Sequence, residues 1–292
     1  MYPVAYEYVR AASVEHARAC LADAEGEGKL LAGGHSLIPM LKLRLAVPEV
    51  LVDVSELDEL RGIEIAGQQV RIGASTTWRE LLMHEGLGSA APVVPEAVEV
   101  IGDRQVRARG TVGGSLAHAD AAADIPAPLL VLDAEVEIAG EDGRRWQPLD
   151  DVLVAMFQTT LEDDDLLTAI RFAPLPTGAG SAYEKFPQPA SHLALCGIAA
   201  VVRLDGDTIA EARLAVTGAT GRAFRPRDVE QRLVGQQPTD DVFADVATGI
   251  VGDRQVRSDI HADATYRANL VEVLTQRALR RATDRATQGT PA

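Results

Sequence analysis

Two short segments hold the residues best equipped for chemistry, Ala32-Gly33-Gly34-His35-Ser36 and Thr111-Val112-Gly113-Gly114-Ser115. Each joins paired glycines, which leave main-chain N–H groups unobstructed, to a hydroxyl donor, and that combination suits a phosphate. Two such turns in one chain point to a diphosphate held from both sides. Neither turn forms Gly-x-Gly-x-x-Gly or Gly-x4-Gly-Lys-Ser/Thr, so the signatures of Rossmann and P-loop sites are missing and a different nucleotide architecture is expected.

The neighbouring polar residues allow other readings. His35 and His118 flank the turns, and Asp120 and Asp124 follow His118 at a spacing open to metal ligation. No His-Glu-x-x-His or similar pattern supports a metal, and both aspartates stand where they can cap a helix beginning near Asp124-Ile125-Pro126, so none is expected. Ser36 and Ser115 lack the Gly-x-Ser-x-Gly elbow of a hydrolase nucleophile. Arg104, Arg107 and Arg109 precede the second turn, either as a solvated face or as partners for phosphate or a docked protein. Lys185 reads as a surface lysine, the alternative being a charge that stabilises a reduced, anionic cofactor. No catalytic residue is identified.

The elements that must position these residues are legible in outline. Ser13 caps an amphipathic segment reaching Ala24, the run Lys29-Leu30-Leu31-Ala32 leads into the first turn, and Val50 to Val54 reads as a strand. A second unit opens with strands Gly62 to Ala66 and Gln69 to Gly73, then a helix started by a Thr77–Glu80 capping box. Pro92 and Pro95 punctuate a helical segment to Ile101, with the second turn in the loop that follows. From Asp133 the pattern turns to strands, with a hairpin at Glu141-Asp142-Gly143 and a strand over Leu166 to Phe172. The linker Pro174 to Gly180 marks a domain boundary. Beyond it, strands Leu193 to Leu204 and Ile209 to Val216 flank Asp205-Gly206-Asp207, and a helix over Ala264 to Ala282 aligns Tyr266, Leu270, Val273, Leu274 and Ala278 as its packing stripe. A polar, frayed tail is expected from Thr283.

Composition narrows the function classes. The chain has 292 residues, 47% of them hydrophobic, enough for a substantial core and two domains. A formal charge of -15 argues against nucleic-acid or anionic-membrane binding, so an anionic ligand must be held locally. Cys20 and Cys196 are too few for a disulfide framework or an all-cysteine iron-sulfur cluster. With no apolar run long enough to span a bilayer and no signal-like N-terminus, the expected location is cytoplasmic.

The long motifs Ala32-Gly33-Gly34-His35-Ser36-Leu37-Ile38-Pro39-Met40-Leu41-Lys42-Leu43-Arg44 and Gly110-Thr111-Val112-Gly113-Gly114-Ser115-Leu116-Ala117-His118-Ala119-Asp120, with Ala122-Ala123-Asp124, resemble the FAD-binding medium subunit of molybdenum hydroxylases. That family includes aerobic carbon monoxide dehydrogenase, nicotine and caffeine dehydrogenases and the flavin domain of xanthine dehydrogenase. The resemblance spans about residues 1 to 285 and takes in Tyr183 to Phe186 and Tyr266-Arg267. It implies an α+β fold: an FAD domain of the vanillyl-alcohol-oxidase (PCMH) type over 1–176, made of α/β subdomains 1–57 and 58–176, a C-terminal domain with a small antiparallel sheet and helices over 177–285, and a tail at 286–292. It also implies that Ala32, Gly33, Gly34, His35, Ser36 and Leu37, with Thr111, Gly113, Gly114, Ser115 and Ala117, bind FAD around its diphosphate, that Asp124 meets the ribityl chain, and that Leu167 and Lys185 lie near the isoalloxazine. Ala121, His192 and Leu193 depart from residues common in the family, which bears on the flavin's potential and acceptor side rather than on FAD binding.

The resulting expectation is a subunit that takes electrons from a [2Fe-2S] small subunit and passes them to an external acceptor. Substrate hydroxylation would then occur at a molybdenum cofactor in a large subunit, with the complex a dimer of heterotrimers. The alternatives are an FAD-containing assembly module without redox turnover and a stand-alone flavin oxidase.

Overall fold

A computed structural model describes residues 2–288. The chain opens as β1 (Glu7–Arg10), α1 (Val14–Asp23), β2 (Gly28–Leu31), α2 (Leu37–Leu43) and β3 (Val50–Asp53). The three strands form a parallel sheet in the order β1-β3-β2, so the carboxyl ends of β2 and β3 lie on the same edge. The Ser13 side chain accepts from His16 N and starts α1, whose Val14, Ala17 and Leu21 are buried at helical spacing in a small core.

A second unit follows, with β4 (Ile63–Ala66), β5 (Gln69–Gly73), α3 (Trp78–Met83), α4 (Leu87–Ala90), α5 (Val93–Glu99), α6 (Arg104–Arg109), α7 (Val112–His118), α8 (Pro126–Val131), β6 (Glu135–Gly140), β7 (Gly143–Pro148), α9 (Leu149–Val152), β8 (Leu153–Ala155), β9 (Gln158–Thr159) and β10 (Leu166–Phe172). Its sheet, β4-β5-β10-β6-β7, is antiparallel, with helices packed against it. Thr77 and Glu80 close both halves of their capping box. The segment expected as a loop after Ile101 is instead helical: Asp103 caps α6 and Thr111 caps α7, each accepting from a main-chain N–H three residues on.

The last part contains β11 (Ala179–Pro187), β12 (Ala194–Asp205), β13 (Thr208–Thr217), α10 (Arg227–Leu233), α11 (Asp240–Ala247) and α12 (Ala264–Gln288). Strands β11-β12-β13 form an antiparallel sheet buried on both faces. Alternation decides which side each residue serves. Tyr183, Ala199, Val201 and Ala215 join the core of the preceding unit, whereas Ala182, Ile198, Ala200, Val202 and Leu214 join the core beneath α12.

Helix α12 departs from expectation in two ways. Its buried stripe runs through Arg267, Leu270, Val271, Leu274, Ala278 and Ala282, which leaves Tyr266 and Val273 at the rim. The rotation follows from Arg267, which is 1% exposed yet donates to Leu195 O at 2.7 Å, Gly218 O at 3.0 Å and Asp259 Oδ2 at 2.6 Å. The helix also continues past Thr283 to Gln288 instead of fraying, because Thr283 is buried and Arg281 and Arg285 both reach Glu96 of α5. Residues 289–292 of the expected tail lie outside the described residues.

Candidate cofactor site

The first glycine motif leaves β2 and turns into α2. Gly34 adopts φ +74°, a left-handed conformation that glycine enters without strain, and Ser36 returns to the right-handed region at φ -91°, ψ -48°. The carbonyls fold inward, Gly34 O accepting from Ile38 N and Ser36 O from Met40 N. The N–H groups from Gly33 to Leu37 find no acceptor among the described residues, and His35 and Ser36 are exposed. Successive unpaired N–H groups in alternating left- and right-handed backbone form a concavity that attracts anions. The ring Nε2 of His35 lies 3.3 Å from Gln105 O and ties the turn to α6.

The second motif is built differently. Val112 N donates to Thr76 O at 3.1 Å, Gly113 N to Ala74 O at 2.8 Å, Ser115 N to Thr111 O at 3.1 Å, and Gly114 N to Thr111 Oγ1 at 3.2 Å. The expectation that both turns present free donors is corrected here, because the second uses its main-chain donors to seat α7. Gly113 is a packing residue: a Cβ there would lie 2.5 Å from Ala74 Cβ. Gly114 is exposed, and a Cβ would meet only Thr111 Oγ1, at 2.7 Å. Ser115 is half-buried and Ala117 exposed beside it.

The two motifs touch. A Cβ at Gly33 would stand 2.0 Å from Arg109 O and 3.0 Å from Gly110 Cα, so absence of a side chain lets the chains meet. Behind this contact lies a cleft of about 420 Å³ lined by Ala32, Gly33, Arg109 and Thr111 and by the acidic Glu56 and Asp58. Arg61 and Arg109 in the same lining balance those two carboxylates, so the cleft carries no net formal charge. Gly34, His35, Ser36, Gly114 and Ser115 do not line it, and among them only Gly34, His35 and Ser36 keep unpaired main-chain donors.

A second group of expected residues meets between the domains. Lys185 Nζ is 2.8 Å from Asp124 Oδ2, with side-chain exposures of only 4% and 3%. The same ammonium donates to Val100 O at 2.9 Å and His192 O at 2.6 Å, which uses its three protons. The surface reading of Lys185 is therefore corrected. Tyr183 Oη donates to Asp124 Oδ1 at 2.6 Å, a contact that sequence reading missed although Tyr183 and Lys185, two apart on β11, share one face. Burial pushes the Asp124 carboxyl above the usual carboxylate range, while the Lys185 charge and the Tyr183 hydroxyl oppose it. Asp124 does not cap α8, whose N-cap residue Ile125 makes no side-chain bond, and Asp120 Oδ1 accepts from Ala122 N.

The remaining expected residues are placed separately. Leu167 is buried in the apolar core, beside a β-bulge in β10, and lines neither turn. The His118 ring packs on Phe157 with centroids 4.9 Å apart, and burial lowers its pKa against the opposing charge of Asp120. Arg107 donates to the carbonyls of Glu99, Ile101 and Gly102, whereas Arg109 lines the cleft together with Arg61, Glu56 and Asp58. Ala121 O accepts from Gly218 N, and exposed Leu193 closes a short turn with Gln188.

Comparison with known proteins supplies the family. The family described as the FAD binding domain in molybdopterin dehydrogenase matches residues 4–176, and the CO dehydrogenase flavoprotein C-terminal domain matches residues 181–282. The carbon monoxide dehydrogenase medium chain of Hydrogenophaga pseudoflava is 36% identical, over 96% of this chain and 97% of its own. Subunit alpha of the 6-hydroxypseudooxynicotine dehydrogenase complex of Paenarthrobacter nicotinovorans is also 36% identical, over 98% of this chain and 97% of its own. A solved chain of the Hydrogenophaga pseudoflava carbon monoxide dehydrogenase superposes with a TM-score of 0.95 at 36% identity, covering 98% of this chain and 99% of that one. A chain of quinoline 2-oxidoreductase from Pseudomonas putida 86 reaches 0.92 at 29% identity, over 98% and 99%. The chain belongs to the family of FAD-binding medium subunits of molybdenum-dependent hydroxylases, the flavoprotein subunits of dehydrogenase complexes.

Proposed function

We propose that this chain is the electron-transferring flavoprotein subunit of such a complex, receiving electrons from a [2Fe-2S] small subunit and delivering them to an external acceptor. The large subunit carries the molybdenum cofactor and the substrate chemistry, and the assembly is a dimer of heterotrimers in the cytoplasm. Among the described residues, no helix is long and apolar enough to cross a membrane. We assign the FAD domain to 1–176 and the C-terminal domain to 177–285, a division supported by the spans of the two family matches.

The observation that carries this reading is the run of unpaired N–H groups from Gly33 to Leu37, held against the second glycine motif. These donors, with the hydroxyls of Ser36 and Ser115 and the open face of Gly114, would hold the FAD diphosphate. Asp124 fits a polyol. Its oxygens each accept one bond inside the protein, and an ionised carboxylate retains further lone pairs for ligand hydroxyls. Lys185 favours the charged form of that carboxylate; placing Lys185 and Leu167 beside the isoalloxazine rests on the family resemblance, both side chains being buried within the protein. When bound, FAD supplies the capacity to exchange electrons singly or in pairs. The chain's own part is to bind, orient and shield it, with no side chain acting as acid or base.

Rapid mixing of the oxidised full-length subunit with its reduced iron-sulfur partner tests this directly. The relay predicts loss of flavin absorbance at a rate at least matching turnover. A flavin that stays oxidised throughout turnover leaves the assembly-module alternative, and reduction by substrate without any partner leaves the oxidase alternative.

A further inference from the structure

The buried hydroxyl of Tyr183 has no role in the chemistry described so far. Its ring enters the core of the FAD domain from β11, and its hydroxyl ends on Asp124 Oδ1 at 2.6 Å. The hydroxyl fits because residue 197, on the facing strand, is glycine: a Cβ there would lie 2.3 Å from Tyr183 Oη and 3.0 Å from Cζ. The main chain of Tyr183 is fixed as well, its N–H donating to Glu96 Oε2 at 3.2 Å and its carbonyl accepting from Arg281 at 3.2 Å. A rigid phenol therefore approaches one oxygen of Asp124 while Lys185 takes the other.

We infer that Tyr183 is a positioning residue that fixes the orientation in which Asp124 accepts hydroxyl donors from the flavin, an inference resting on the site reading given above. Lys185 alone leaves the carboxylate one anchor and freedom to rotate. The second anchor removes that rotation, so less ordering remains to be done when the ligand binds. The titratable groups facing Asp124 are the Lys185 ammonium and the Tyr183 hydroxyl, with the Cys196 thiol of β12 near Tyr183. Burial holds the last two protonated, the Tyr183 hydroxyl well above its ordinary value and the thiol pushed up to about 12.

The test is equilibrium binding of FAD to the full-length chain, read by flavin fluorescence across pH, for Y183F, G197A, D124N and the Y183F/D124N pair. Y183F keeps the ring and should weaken FAD about ten-fold, the size expected of one hydrogen bond to a charged group. It should also move the acid-side loss of affinity to higher pH, because the Tyr183 hydroxyl favours the ionised carboxylate. G197A displaces the hydroxyl without deleting it and should reproduce the loss. In the D124N background, Y183F should change affinity by less than about two-fold, since the group it positions is already altered. Parental affinity in Y183F or G197A, an unmoved pH profile, or an equal loss in the D124N background overturns the positioning role. Parental affinity in D124N overturns the underlying flavin-site reading instead.

Discussion

The two glycine motifs make an instructive pair. Both read as Gly-Gly followed within two residues by Ser, the first just before a seven-residue helix and the second inside the first turns of one, and they touch through Gly33 and Arg109. At 33–37 the main-chain donors point away from the protein's own acceptors, whereas at 112–115 they are consumed by Ala74, Thr76 and Thr111. One motif is a binding surface and the other is chiefly its buttress. The glycines divide likewise: Gly33 and Gly113 exist for close packing, Gly34 for its left-handed backbone, and Gly114 alone leaves an open face. Similar sequence has served different physical requirements.

The largest effect expected is from Gly33→Ala. Its Cβ would collide with main-chain atoms that cannot rotate away, so the motifs must separate, at a cost of about 3 kcal/mol. Thermal melting should fall together with FAD content, and a variant as stable as the parent breaks the claim that this contact buttresses the site. Next come Gly34→Val and Gly114→Val. Both should weaken FAD binding by roughly ten-fold or more, about 1.4 kcal/mol. The first should destabilise the fold more, since a left-handed conformation costs a branched residue about 1–2 kcal/mol, whereas at Gly114 the new Cβ crowds only the Thr111 hydroxyl, at 2.7 Å. Equal destabilisation by both would erase the distinction drawn between these positions.

Thr111→Val is smaller still. It removes the hydroxyl that accepts from Gly114 N, and loss of such a cap costs about 1 kcal/mol, measurable by denaturant titration. The gentlest probe is amide hydrogen exchange. Amides at 33–37 should exchange quickly without FAD and slow when it is added, while those at 112–115 should be protected throughout. Protection of both segments in the FAD-free chain would contradict the asymmetry.

Local chemistry made much of the fold readable. The Thr77–Glu80 capping box, the turn at Gly206 and the bounds of β10 all depend on residues within a few positions of one another, and each appears as expected. What stayed hidden involves distant partners. Lys185 looks like a surface lysine until Asp124, 61 positions earlier, and Val100, 85 earlier, are brought to it. The packing face of α12 was misplaced because hydrophobicity alone marks Arg267 as polar, yet its guanidinium finds two carbonyls and a carboxylate inside the protein. The paired aspartates were expected as caps, and Asp124 instead answers a charge from another domain.

By itself the amino-acid sequence determined the order of the elements, the places where only glycine can sit, and, through two long motifs, the family and its flavin. Tertiary structure alone decided which N–H groups remain available, which lysine is buried, and which tyrosine holds the carboxylate. The physical reason is that a glycine's conformational freedom and a cap's hydrogen bond are settled within one turn of chain. Whether a donor is free or a charge is paired depends on every acceptor the folded protein brings near it.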